Sequence, residues 1–364
     1  MKIIGLITEY NPFHNGHLHH IKEARRVTGA DAVIVVMSGD YVQRGVPAVM
    51  PKRLRAEMAL SCGASAVFEL PVCYAAGSAE YFAMGSVSLL DSLGVVDSIC
   101  FGSECNDLDA LSHVADILSR EPDDYRSLLR KNLKKGVSFP SARHDALLEY
   151  TQIPAYAALL DDPNNILGIE YLKALKKLHS HMAPFTIQRE GSHYHDKKLS
   201  SENFSSASAI RSLLAYSGST LSTDRSGGTF EDTDFSSILG ELEEQVPSCC
   251  LELLKDYHRV QYPVYQNDFS IILKYKLLNK HPGSLVRYQD VSEELANRIC
   301  TQLNNFFNYK QFAELIKTRE TTQTRVNRAL LHIMLGLKKN DMAEYMTNGY
   351  HYYARLLGCR KDCS

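Results

Sequence analysis

The chain has 364 residues, of which 45% are hydrophobic and 23% charged, enough for one large domain and a smaller one. A formal net charge of −2 excludes a protein coated in basic surface, so any nucleic-acid contact must be local. No basic start leads into a long apolar stretch, and no apolar run approaches the about 18 residues of a bilayer span. A soluble, cytoplasmic protein is expected, with no membrane partner. The nine cysteines are odd in number and scattered, which suits reduced thiols better than a disulfide framework.

In chain order, the apolar run 3–7 is short and β-branched, as in a strand buried on both faces of a parallel sheet. Pro12 and Gly16 break it and let the backbone turn. If a helix begins near Asn15, His14 and His17 project from one face at its N-terminus, where free N–H groups and the macrodipole favour an anion. That spacing predicts a phosphate site. Further strand-like runs follow at 32–37, 66–70 and 98–102, separated by helical patterns at 52–63 and 79–93. The succession predicts an α/β fold with a parallel, doubly wound sheet. Ligands bind at the carboxyl ends of strands in such sheets, where 8–17, 38–45, 70–74 and 102–104 all fall.

Residues 217–237 are rich in Ser, Thr, Gly and Asp and read as a flexible linker, so the predicted domains are 1–216 and 238–364. Helical spacing at 238–254, 293–307, 310–316, 324–337 and 341–357, with a strand-like stretch at 269–273, predicts a mostly helical C-terminal domain. Three basic patches stand out. Residues 130–135 and the group Lys173, Lys176 and Lys177 read as solvated helix faces. The third holds Lys317, Arg319, Arg325, Arg328, Lys338 and Lys339 against one acid, Glu320; Arg325 and Arg328 should project from a helix whose apolar side packs inward.

The motif His14-Asn15-Gly16-His17 after a strand resembles the H-x-G-H motif of the nucleotidyltransferase superfamily, whose members perform adenylyl transfer on an HUP-type Rossmann-like fold. Together with Glu9-Tyr10-Asn11-Pro12-Phe13, Ser38-Gly39-Asp40-Tyr41-Val42-Gln43-Arg44-Gly45, Phe101-Gly102-Ser103-Glu104 and Pro163-Asn164-Asn165-Ile166-Leu167-Gly168, it resembles the bacterial tRNA(Met) cytidine acetate ligase family. The likeness runs through most of the chain in the same order and is weakest at 213–269.

The resemblance implies an enzyme that activates acetate with ATP and transfers the acetyl group to the wobble cytidine of elongator tRNA(Met). It implies ATP as substrate, with Mg2+ accompanying it, and no prosthetic group. The implied ATP-binding stretch is Ile7-Thr8-Glu9-Tyr10-Asn11-Pro12-Phe13-His14-Asn15-Gly16-His17-Leu18-His19-His20, with His14 and His17 catalytic. Gly102, Asn164 and Arg189 match nucleotide-contacting positions, with Asn165 the N-cap of a helix over 166–178. Ser206-Ala207-Ser208-Ala209-Ile210-Arg211 resembles the superfamily's second signature, S-S-T-x-I-R, and implies phosphate contacts from Ser208 and Arg211. It departs from that pattern at Ala207, which weakens any role for Ser206. Arg319, Arg325 and Arg328 are the expected tRNA contacts.

No metal site is expected. His19 and His20 diverge around the helix from the motif pair, and Cys359-x-x-x-Cys363 lacks a second ligand pair. Asp40 could orient the acceptor or Mg2+, or simply make a turn. The competing readings are a small-molecule adenylyltransferase making a dinucleotide cofactor, which needs no basic C-terminal domain, and a non-catalytic RNA-binding module. A class I aminoacyl-tRNA synthetase shares the H-x-G-H helix, but no K-M-S-K-S-like loop is present. The oligomeric state stays open.

Overall fold

The computed structural model describes residues 1–189, 207–215 and 235–361. Its centre is a six-stranded sheet in which β1 (Ile3–Thr8), β2 (Ala32–Ser38), β5 (Ala66–Leu70), β6 (Ser98–Ser103), β7 (Ala183–Gln188) and β8 (Arg355–Cys359) lie in the order β7-β6-β1-β2-β5-β8. All pairings are parallel except β5 with β8. A two-stranded hairpin, β3 (Tyr41–Val42) and β4 (Val46–Pro47), stands at the carboxyl end of β2.

Side chains alternate across a strand, and here successive residues enter two different cores. Ile3, Ile34 and Val36 pack with Phe82, Val87, Leu111 and Ile169 on one face. Ile4, Leu6, Val33 and Val35 pack with Ile21, Met58 and Val67 on the other. Because both faces are covered, the strands read as continuous apolar runs. The register pairs Thr8 with Met37 and Ser38 with Leu70, so the carboxyl ends of β1, β2 and β5 open at one edge.

A third core is helical, built around Leu277, Leu285, Ile299, Phe312 and Leu330. The helix Gln323–Leu335 runs through it and is fastened to the sheet side by His332. That fully buried ring lies within hydrogen-bond distance of the carbonyls of Ala76, 3.0 Å, and Gln289, 3.1 Å.

Four expectations are corrected. The stretch 269–273 is helical, in Gln266–Phe269 and Ser270–Leu278: Leu273 and Leu277 are buried four apart while Ile271 and Ile272 are exposed. The helix expected over 341–357 ends at Thr347, with Asn348 as C-cap and Gly349 at φ 86°, and the chain returns as edge strand β8. The helix expected over 238–254 is two, Phe235–Glu243 and Ser248–Tyr257, because Pro247 caps the second. Finally, Ile238, Leu242, Cys250 and Leu254 join the core of β1 and β2, so these helices and β8 belong with the first domain's sheet. The expected linker lies outside the described residues over 217–234.

Candidate active site

The motif helix Asn15–Thr28 begins with a reciprocal cap. His14, in extended conformation, accepts the Gly16 N–H on Nδ1 at 3.1 Å, while the His14 N–H donates to Nδ1 of His17 at 3.3 Å. The two rings lie 3.7 Å apart between centroids. Since each Nδ1 accepts, the neutral rings carry their proton on Nε2 and keep it as a donor. Burial, followed by the charges of Arg189 and Arg211, pushes His14 down to about 3. Burial, then His14, Arg189 and His20, holds His17 well below the usual imidazole range. Both are therefore neutral N–H donors at pH 7, and the positive charge nearby comes from guanidinium groups.

Arg211 is held by the motif turn, its Nη1 donating to the Asn11 carbonyl at 2.7 Å and its Nη2 to Ser208 Oγ at 2.9 Å. It stands on the helix Ala207–Ala215; Ser206 lies outside the described residues. Much of the expected ATP-binding stretch builds the site's frame. Tyr10, at φ 47°, is buried edge-on to Phe13 at 4.7 Å and to His17 at 4.8 Å. Asn11 Oδ1 accepts from Val49 N at 2.8 Å and Glu9 Oε1 from Gln43 N at 2.9 Å. Asn15 donates through N and Nδ2 to the carbonyls of Gln245 and Glu244, each at 2.9 Å. Pro12 and Phe13 are buried and Leu18 packs against the core, and these three with Asn15 do not line the cleft.

Ile7, Thr8, Glu9, Tyr10, Asn11, His14, Gly16, His17, His19 and His20 do line it, as do Gly102, Asn164, Arg189, Ser208 and Arg211. Burial lowers His20 to about 4, opposed by its hydrogen bond with the Cys100 backbone. Gly102, at the end of β6, has open space where a Cβ would stand, leaving room for a flat group against the strand. The two asparagines divide their work. Asn164 reaches the cleft and donates to Glu104 Oε1 at 2.5 Å. Asn165 is buried inside the helix Pro163–Leu178, whose N-cap position is Asp162 rather than Asn165. Its Oδ1 accepts from Glu104 N at 3.0 Å and Cys105 N at 3.2 Å, tying the helix to the loop after β6.

Sequence reasoning missed Arg55. It is fully buried and donates to the carbonyls of Met50 at 3.0 Å, Glu9 at 2.5 Å and Gly39. It thereby clamps the turn after β1 to the turn after β2. Burial lowers its pKa to about 10, with Asp40, Glu9 and Glu69 opposing, so it stays charged. The sequence signal is an arginine set between Leu54 and Met58 on a face that helical spacing turns inward. Asp40 is a turn residue: it accepts from Lys52 N at 3.0 Å, pairs with Lys52 Nζ at 3.2 Å and does not line the cleft.

The cleft measures about 1360 Å³ and continues from the motif to the C-terminal helices, where Asp290, Thr322, Thr324, Arg325 and Arg328 line it. Arg325 is exposed there, together with Arg120 and Lys177, and none of the three has an ion-pair partner among the described residues. Arg328 does not project as expected. It is buried and pairs with Asp290 at 2.9 Å, because its turn of helix packs against the β3–β4 hairpin. Arg319 is exposed but off the cleft. Lys173 and Lys176, expected as a solvated face, are cleft residues paired with Glu170 at 2.7 Å and with Asp116. In the patch 130–135, Lys131 pairs with Glu149 at 3.1 Å and Lys135 donates to Asn132, away from the cleft. Cys359 lies on β8, and Cys363 is outside the described residues.

The family model for HIGH nucleotidyl transferases matches residues 1–364. The tRNA(Met) cytidine acetate ligase of Acetivibrio thermocellus is 40% identical over 363 residues, covering 98% of this chain and 83% of that protein. The enzyme of the same name from Caldanaerobacter subterraneus subsp. tengcongensis is 43% identical over 359 residues, with the same two coverages. Among solved structures, Thermotoga maritima TmcAL in its apo form superposes with a TM-score of 0.89 at 34% identity, covering 100% of this chain and 82% of that one. The same protein bound with alpha-thio ATP gives a TM-score of 0.86 at 34% identity, covering 100% and 81%.

Proposed function

Because the chain belongs to the tRNA(Met) cytidine acetate ligase family, within the HIGH nucleotidyl transferases, we propose that it makes N4-acetylcytidine at the wobble position of elongator tRNA(Met). Acetate attacks the α-phosphorus of ATP, the bond to the bridging oxygen breaks, and pyrophosphate leaves. The N4 amine of the cytidine then attacks the carbonyl of acetyl-adenylate, AMP leaves, and the amine proton passes to solvent. ATP is needed because free acetate would have to expel oxide or hydroxide, whereas the mixed anhydride expels AMP.

The chain's own residues supply positioning and charge stabilisation, which is most of what phosphoryl and adenylyl transfer asks of a protein. His14 and His17 present Nε2–H donors to the α-phosphate as negative charge builds on its oxygens. Ser208 and Arg211 hold the outgoing β- and γ-phosphates, and Arg189 adds charge beside them. The adenosine lies against Gly102, with Asn164 at its edge. Mg2+ accompanies the triphosphate. Arg325, Arg120 and Lys177 face the tRNA backbone, with Arg319 outside the cleft on the same approach. Among the described residues no helix is long and apolar enough to cross a membrane, and the cytoplasm, where tRNA and ATP meet, is the proposed location.

One observation carries this reading: the cleft that starts at the His14–His17 cap is continuous with the cationic wall at Arg325. A small-molecule adenylyltransferase has no use for that second half. The test is pyrophosphate release with ATP and a panel of carboxylates, with and without tRNA. Acetate should support it best, and stimulation by a mononucleotide cofactor precursor but not by acetate would reject the proposal.

A further inference from the structure

Outside the cleft Cys62 meets a pair of adjacent cysteines far along the chain, Cys249 and Cys250. Cys62 is the C-cap of the helix Lys52–Ser61, and Cys249 and Cys250 stand in the first turn of the helix Ser248–Tyr257. Cys62 Sγ lies 3.7 Å from Cys249 Sγ and 3.6 Å from Cys250 Sγ, and all three sulfurs fall within 4.8 Å of one another. Zinc holds thiolates at about 2.3 Å in a tetrahedron, which sets neighbouring sulfurs about 3.8 Å apart. The two edges that meet at Cys62 match that spacing.

The surroundings suit an ion as well. Cys250 is fully buried, Cys62 nearly so, and Cys249 half-buried, which gives an enclosed floor and one side open to solvent. Among the described residues no carboxylate or imidazole joins the group, so the donor set is sulfur alone and favours a soft cation.

We propose that Cys62, Cys249 and Cys250 form a three-thiolate Zn2+ site, with a solvent molecule as the fourth ligand. On binding, three S–H protons pass to solvent and three S–Zn bonds form, so affinity should rise with pH. The site would pin the turn before the helix Ser248–Tyr257. That turn holds Glu244 and Gln245, whose carbonyls accept from Asn15 at the start of the motif helix. The site is independent of the acetyl-transfer reading.

The experiment uses the full chain, reduced and stripped with chelator, then titrated with Zn2+ against a chromophoric chelator and with Co2+ as a spectroscopic probe. The expected result is one equivalent per chain, a thiolate-to-cobalt charge-transfer band and a higher Tm with metal. Cys250→Ser should weaken Zn2+ binding by more than about tenfold, since even outer-shell partners of a metal cost ten- to a hundredfold. Cys300→Ser, in the separate helical core, should leave it unchanged. Cys249→Ser, at the half-buried position, gives the same readout if loss of Cys250 impairs folding. Absence of stoichiometric Zn2+ binding by the reduced protein would overturn the proposal, as would binding that survives in both variants. A Cys62 disulfide in the freshly purified protein would overturn it too.

Discussion

His14 and His17 accept on Nδ1 and so carry their proton on Nε2, and each ring both closes the helix start and lines the cleft. His17→Ala should lower acetate-dependent pyrophosphate release by roughly two orders of magnitude, the usual cost of a lost preorganised donor, with the fold retained. Near wild-type turnover by a folded variant would move the chemistry elsewhere. Burial of these rings also sets a pH dependence. His14 titrates at about 3 and His20 at about 4 in the folded chain, against about 6.5 unfolded. Between those limits the unfolded chain binds more protons, so stability is full above about pH 6.5 and falls as pH drops toward 4. Urea midpoints from pH 7 to 4.5 should show the loss, and His20→Gln should flatten it. An unchanged slope in that variant would assign the acid sensitivity to other groups.

Among the elements, the β3–β4 hairpin joins the nucleotide end of the sheet to the C-terminal helices. Gly45 in its turn has φ 72°, and a Cβ there would stand 2.4 Å from the Arg328 backbone nitrogen. Neither the conformation nor the neighbour can yield cheaply, because the obstacle is helix backbone. Gly45→Ala should therefore destabilise the protein by about 3 kcal/mol, as left-handed strain and overpacking each contribute roughly 1 to 2 kcal/mol. Calorimetry or denaturant unfolding reads the change. An unaltered Tm would mean that the hairpin and helix are not in register as described.

For the whole molecule, one cleft spans two cores, and the arginines of its C-terminal wall differ in role. Arg325→Ala should leave tRNA-free pyrophosphate release intact while reducing the salt slope of tRNA binding by about one unit for each lost phosphate contact. Arg328→Ala should act through stability, by about 3 kcal/mol, because it strands Asp290 without its buried partner. Filter binding at several salt concentrations, beside a thermal melt, separates the two. Equal effects on both readouts from both variants would show that the wall does not divide this way.

Much of this was legible in the sequence because it is local. The runs 3–7, 32–37, 66–70 and 98–102 alternate two-sidedly into separate cores, and such a pattern specifies a covered parallel sheet without knowledge of any contact. The H-x-G-H helix start needs only neighbouring residues to cap itself. What periodicity could not show depended on partners far along the chain. The tail at Arg355–Cys359 has the spacing of a helix end until β5 offers it an open edge. Phe269 and Ile271-Ile272 look like a strand until Leu273 and Leu277 find a helical core to enter. Arg328 matched Arg325 in sequence, and only Asp290 and the hairpin made one buried and left the other exposed. Arg55 likewise became a clamp because two carbonyls from separate turns converge on it. Chain-local hydrogen bonding and hydrophobic period are written residue by residue, whereas desolvation and the pairing of buried charge exist only once distant segments have packed.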